Sequence, residues 1–395
     1  MTTILDLPDN LLDEIFSGVP LDSTRAVRST CKAWNASFYR RFAKTMEGSV
    51  KVASEEARES GESRMLVMMD HNVYLTSVVV NENPSTKRLG KLTYLTHEQV
   101  KISQVFHCDG LLLCILKDDK RLVVWNPCLG ETRWIEGVQD ANVQDKYKYA
   151  LGYEEDSCRR HYKILKFTDA AVMGFSSYET YDFGTSSWTH QRFTEVRGID
   201  EFCDRGVSLK GNTYWCAIDS WGLISHTVCF NFTRMRFGGL QYLPTGGSYW
   251  PKDLVSLSCV GDEKLLVLIQ PWKTLVIDIW ISYKIDEQKV LWSKFLRVDM
   301  GPLTDLIRTD GGFFVEEEKK LAMFFSKDTV KVFGEDGYFR ELDLGESSNN
   351  ECWPLVCPYV PSSVQIKPLK TSSEKRRYDE NMSRYDNKRI KHKDI

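Results

Sequence analysis

No apolar run in this sequence reaches the roughly 18 residues that a membrane-spanning helix needs, so no membrane partner is expected. Histidine is scarce, with seven in 395 residues, and none pairs with another His or Cys at ligand spacing. No metal site and no cofactor is therefore expected. Charge of one sign is also lacking. The net value is −3, which leaves no chain-wide basic footprint for a nucleic acid partner. The eleven cysteines show no Cys-x-x-Cys spacing, and the close pair is Cys352 and Cys357. That pattern suits reduced thiols in the cytosol or nucleus better than a disulfide scaffold. The opening Met-Thr-Thr-Ile-Leu-Asp has neither the basic nor the apolar region of a secretory signal. The phosphate-binding Gly-x-Gly-x-x-Gly and P-loop patterns, His-Glu-x-x-His and Gly-x-Ser-x-Gly are missing too, so nothing points to an enzyme. His107-Cys108-Asp109 reads as a strand entering a turn, because adjacent strand residues point to opposite faces and cannot form a nucleophile pair. The acidic runs Glu55-Glu56 and Glu316-Glu317-Glu318 read as solvated turns or linkers.

What is present falls into zones. Residues 1–45 read as three short helices. Pro8 suits a first helical position, where its missing N–H costs nothing. Leu11, Leu12, Ile15 and Phe16 then form one apolar stripe, and Gly18 and Pro20 end it. Asp22 or Ser23 can cap a second helix carrying Ala26 and Val27. Cys31, Trp34, Phe38 and Phe42 share a face of a third. Three such helices bury too little surface to stand alone, so they need a partner or the following domain to pack on. Residues 46–64 are polar and charged, either a linker or an exposed continuation of the last helix.

Residues 65–366 change to strand-and-turn grammar, short Val/Ile/Leu/aromatic runs between Gly, Asp, Asn and Ser turns. The grammar recurs. Each unit ends in a strand opened by an aromatic, at Trp134, Trp188, Phe237, Trp292 and Phe339, with steps of 54, 49, 55 and 47 residues. A period near ~50 with three to four strands per unit is that of a propeller blade. The run from Arg64 can supply a sixth unit. A single four-stranded blade cannot bury both faces, whereas a ring of blades can, with aromatics filling the wedges. An irregular pair of β-sandwiches is the alternative. The aromatics follow the blade rhythm and so read as core rather than as a platform for stacked bases. Residues 367–395 hold ten Lys/Arg and five Asp/Glu and read as a disordered basic tail. Lys375-Arg376-Arg377 and Lys388-Arg389-Ile390-Lys391 lie ten residues apart, the spacing of a bipartite nuclear-import signal. A solvated tail that merely aids solubility is the alternative.

The first zone resembles the F-box. Leu7-Pro8, Leu11-Leu12-Asp13-Glu14-Ile15-Phe16, Pro20-Leu21, Ala26-Val27-Arg28 and Cys31-Lys32-x-Trp34 follow its pattern, with Phe16 where Leu is usual and Thr30 where Val is frequent. The β zone resembles the plant F-box-associated domain through "LVVWNPCLGETRWI", "GNTYWCAID" and "LVIDIWIS…LWSKFLRVDM". It is kelch-like, without most of the Gly-Gly doublets of true kelch blades. The resemblance implies an α+β multidomain chain: a small three-helix F-box, an all-β propeller of about six blades, and the tail. It further implies that the F-box docks a Skp-type adaptor through Leu7, Pro8, Leu11, Ile15, Phe16, Pro20, Leu21, Val27 and Trp34. Through that adaptor the chain joins a cullin–RING ubiquitin ligase, and the β domain holds an unknown protein substrate. Such a receptor is not itself an enzyme and works in the nucleus, the cytoplasm or both. An F-box scaffold that sequesters a partner, and a propeller enzyme with a helical plug, are the other readings.

Overall fold

The computed structural model describes residues 62–366 except 70–71, 80–84, 92–100, 118–120, 128, 130, 137–146, 157–158, 169–176, 193–198, 245–248, 251–252, 262, 273, 287–288, 300–311, 326–328, 345–354, 360–361 and 363. The three helices expected over residues 1–45, most of the linker and the basic tail lie outside the described residues.

The described strands form six antiparallel sheets, each a blade. The first contains β1 (Glu62–Met69), β2 (Asn72–Val79) and β3 (Ser85–Lys91). The second contains β4 (Ile102–Cys108), β5 (Leu111–Leu116), β6 (Leu122–Asn126) and β7 (Glu131–Ile135). The third contains β8 (Tyr147–Glu155), β9 (Arg160–Thr168), β10 (Ser177–Asp182) and β11 (Ser187–Arg192). The fourth holds β12 (Ile199–Leu209), β13 (Asn212–Asp219), β14 (Ile224–Asn231), β15 (Arg236–Phe237) and β16 (Gln241–Tyr242). The fifth holds β17 (Leu254–Val260), β18 (Lys264–Gln270), β19 (Val276–Ile285) and β20 (Val290–Asp299). The sixth holds β21 (Phe313–Glu316), β22 (Leu321–Phe325), β23 (Thr329–Phe333) and β24 (Phe339–Asp343). The last strand, β25 (Leu355–Pro358), joins the first blade on the inner side of β1, pairing Met65 with Pro358 and Met68 with Leu355.

Burial explains the composition of each strand. β5, LLLCIL, and β22, LAMFF, are apolar throughout because a neighbouring blade covers each face. The rim strand β24 reads FRELD, with Leu342 buried among exposed neighbours. The five aromatics of the sequence rhythm all fall on fourth strands: Trp134 on β7, Trp188 on β11, Phe237 on β15, Trp292 on β20 and Phe339 on β24. Each is only partly buried. The fully buried wedges are Trp125, Phe167, Trp215, Phe230, Phe313 and Phe324, which sit on inner strands. Two of the two-residue hairpin turns run through paired positive φ, Asp109-Gly110 and Lys210-Gly211, the geometry that matches strand twist. The core lies between blades. One cluster joins the second, third and fourth blades around Phe167, Trp215 and Phe230. Others join the fourth to the fifth, the fifth to the sixth, the sixth to the first and the first to the second. The ring is therefore continuous, and the sandwich alternative is excluded.

Closure has a second part beyond β25. The chain runs on beneath the second blade, where buried Asn126 on β6 donates to the carbonyls of Ser362 (2.9 Å) and Val364 (2.8 Å). The Ile366 N–H donates to buried Glu131 (3.1 Å), and the Ile366 carbonyl accepts from Arg133 (3.2 Å). The other guanidinium nitrogen of Arg133 reaches Ser186 (2.8 Å), the Phe183 carbonyl (2.9 Å) and the Tyr181 hydroxyl (3.2 Å) in the third blade. The segment NPCLGETR thus fixes the described end of the chain across two blades.

Candidate partner-binding face

Every adaptor-docking position, from Leu7 to Trp34, and every import-signal position, from Lys375 to Lys391, lies outside the described residues. The sequence named no target-contacting residue on the β domain. The structure supplies three there, all tryptophans on turns. Trp221 is 83% exposed, Trp250 65% and Trp272 51%. Trp221 stands in the β13–β14 turn, Trp250 in the connection leading to β17, and Trp272 in the β18–β19 turn. In an up-and-down blade these connections fall at the same end of the ring.

Their loops are tied together. Ile224, three residues past Trp221, exchanges two backbone hydrogen bonds with Tyr249, the neighbour of Trp250 (2.7 and 2.9 Å). The Asp253 carboxylate accepts from the N–H of Trp250 (2.7 Å) and of Trp272 (2.6 Å), joining two loops. Asp219 holds the third by accepting from the N–H of Trp221 (3.0 Å) and Leu223 (2.9 Å). Desolvation pushes the Asp219 carboxyl up. The Leu223 N–H, the Ser225 hydroxyl, the Trp221 N–H and His226 outweigh it and hold the group below its ordinary value. Large, rigid aromatics held exposed on braced turns have the character of interface anchors.

Asp219, Ser225 and His226 adjoin one another, which invites a catalytic reading. The order is wrong for it. Ser225 Oγ stands between Asp219 Oδ2 (3.1 Å) and His226 Nδ1 (2.6 Å), so the hydroxyl, not the imidazole, is the bridging group. A nucleophile triad needs the imidazole in the middle. Ser225 is also buried. His107 accepts from the Gly110 N–H (3.1 Å) and Cys108 is buried, as a strand running into a turn requires. No disulfide joins the described cysteines. Burial pushes the thiols of Cys114 and Cys229 up to about 12, the opposite of an activated thiolate. Among the described residues no group of His, Cys, Asp and Glu is placed to hold a metal.

The tryptophans escaped the sequence reading because they break the rhythm it used. Trp221 precedes Gly222, Trp250 precedes Pro251 and Trp272 follows Pro271, so each marks a turn and opens no strand. A tryptophan beside Gly or Pro between two apolar runs was the available signal.

Residues 64–366 match the F-box associated beta propeller domain, and residues 4–40 match the F-box domain. A protein of Arabidopsis thaliana named as an F-box protein is 47% identical over 97% of this chain and 94% of its own length. An F-box/kelch-repeat protein of the same species is 42% identical over 96% of this chain and 95% of its own. A third Arabidopsis protein, named Peroxiredoxin-2A, is 45% identical over 96% of this chain and 71% of its own.

Proposed function

This chain belongs to the family of F-box proteins with an F-box-associated β-propeller domain, and from that membership we propose that it is the target-recognition subunit of a Skp–cullin–F-box ubiquitin ligase. The F-box at residues 4–40 docks the adaptor, using Leu7, Pro8, Leu11, Ile15, Phe16, Pro20, Leu21, Val27 and Trp34. The propeller holds the target protein against the face that carries Trp221, Trp250 and Trp272. The chain itself makes no covalent bond. It raises the effective concentration of the target near a charged conjugating enzyme. The observation that carries this reading is the pairing, in one chain, of an F-box match with a closed propeller presenting three braced, exposed tryptophans. The redox activity in one relative's name belongs to that relative and is not carried over; burial holds Cys114 and Cys229 protonated.

The test is capture of the Skp-type adaptor by the full chain, beside a Leu7→Ala/Pro8→Ala variant. Binding that the variant loses supports the reading, and failure of the intact chain to bind ends it. Cullin in the same capture separates a ligase subunit from a sequestering scaffold. The two basic clusters of the tail act as an import signal on this reading. Unchanged nuclear localisation after Lys388, Arg389 and Lys391 are replaced by Ala would remove that part alone.

A further inference from the structure

The inner hairpin of the fourth blade carries two thiols on one face. β12 is the innermost strand there and packs against β4, β8 and β17. Its ladder with β13 pairs Phe202 with Ala217, breaks, and resumes with Gly206 opposite Trp215. Cys203, Asp204 and Arg205 therefore stand opposite Cys216 alone, a bulge. Alternation along the strands sends Phe202 and Ala217 into the cluster shared with the third blade. It sends Cys203 and Cys216 into the cluster shared with the fifth. The Cys203 side chain hydrogen-bonds Cys216.

The bulge is held in register on both sides. The Trp215 ring closes on Gly206, where a Cβ would stand 2.5 Å from it, and Phe202 and Ala217 are both buried. Paired residues of an antiparallel ladder stand about 4.5–5.5 Å apart at Cα, inside the roughly 4.4–6.8 Å that a disulfide spans. Cys203 and Cys216 are the next step beyond such a pair, and the broken ladder lets the backbone adjust. The two sulfurs differ in access: Cys203 is partly exposed and Cys216 is buried. The hydrogen bond to Cys203, and then burial, raise the Cys216 thiol well above its ordinary value, so Cys216 keeps its proton until its partner reacts. Cys357 also lies near Cys259 and Cys114, but β25, β17 and β5 belong to three blades and share no ladder.

We propose that Cys203 and Cys216 are an oxidation site, converted by hydrogen peroxide into a reversible disulfide that ties β12 to β13 beneath the Trp221 turn. The Cys203 sulfur attacks the peroxide. An S–O bond forms, the O–O bond breaks, and the departing hydroxide takes the thiol proton as water. The Cys216 sulfur then displaces the hydroxyl from Cys203. The S–S bond forms, the S–O bond breaks, and the Cys216 proton leaves with the hydroxide as a second water. Two electrons pass from the thiol pair to the peroxide. A thiol reductant reverses the bond, as befits a disulfide in a reducing compartment. Cys216 lies three residues before Asp219, whose carboxylate holds the Trp221 N–H, so the cross-link fixes the base of that turn. The chemistry is independent of what the propeller holds.

The experiment treats the full chain with a small excess of hydrogen peroxide, alkylates the remaining thiols and digests it with chymotrypsin. Cleavage after Phe202, Trp215 and Trp221 separates the two cysteines from each other and from Cys229. Mass spectrometry should find the Cys203 and Cys216 peptides joined, two hydrogens lighter than their sum. The bond should lie within one chain on a non-reducing gel, and dithiothreitol should part it. In the untreated chain Cys203 should alkylate about tenfold faster than Cys216 or more. Cys216→Ser should trap Cys203 as a sulfenic acid that dimedone labels, whereas Cys203→Ser should leave Cys216 unlabelled. Both thiols still alkylated after peroxide, either one joined to a different cysteine, or a bond formed between chains would overturn the inference. Dimedone on Cys216 in the Cys203→Ser variant would overturn the order of attack. The wild-type map decides the disulfide by itself, whether or not the serine variants fold.

Discussion

Arg133 shows how much of the fold can depend on one side chain. It is 8% exposed and bonds two backbone carbonyls and two hydroxyls, while its plane lies over the ring of Phe183 at 4.7 Å. Removing it strands the carbonyls of Phe183 and Ile366 in an apolar setting. Arg133→Ala should cost about 2–4 kcal/mol, read from the denaturant midpoint of the full chain. Arg133→Lys should recover little, because an ammonium cannot span both blades with a planar fork. Glycines make the opposite case. A Cβ on Gly152 would stand 2.2 Å from the ring of Phe232 and 2.4 Å from the Gly211 carbonyl, where backbone must yield. Gly152→Ala should destabilise by about 1–3 kcal/mol or more. Gly239→Ala, where a Cβ would meet nothing within 4 Å, should change stability by less than about 0.5 kcal/mol in the same melts.

At the scale of the element, the turn from β4 into β5 couples stability to pH. His107 Nε2 accepts from the Gly110 N–H, so its proton sits on Nδ1 and the ring is neutral. Burial lowers its pKa from 6.5 to about 4, against the pull of Asp109. A lowered folded value means that the unfolded chain takes the proton first. The contribution is whole above pH 6.5, shrinks as pH falls, and is gone below about 4. His107→Gln should flatten that part of the stability profile, a change of roughly 3 kcal/mol across the window. The same scale shows what the sequence disclosed. The aromatic rhythm marked the fourth strand of five blades because rim strands recur at a fixed distance from the axis. His107-Cys108-Asp109 was legible as a strand entering a turn, and the structure places paired positive φ at Asp109-Gly110. The Trp-bearing turns stayed hidden because composition does not say which aromatic ends up exposed. The split of β15 from β16 stayed hidden because Gly-Gly reads as an ordinary turn. The partnership of β25 with β1 could not be read either, since strand pairing across almost the whole chain leaves no local period.

For the molecule as a whole, the decisive contact is between chain segments nearly 300 residues apart. β1 pairs with β25, β21 packs on β25, and Thr86 Oγ1 on β3 donates to the Asp343 carbonyl. Ending the chain after residue 354 removes β25 and the Asn126 and Arg133 clasp together. Such a chain should lose its single cooperative melt, whereas one ending after 366 should melt as the full chain does, checked by calorimetry. Blades two to six each carry their strands contiguously. The first does not. During synthesis at about 5–20 residues per second, β1 must wait on the order of 15–60 s for its inner neighbour to leave the ribosome. Until then it exposes an unpaired edge, the feature that chaperones and proteases recognise. A transcript cut short anywhere upstream of β25 therefore yields a ring that cannot latch. The pairing of β25 with β1 thereby acts as a proofreading step on the length of the message.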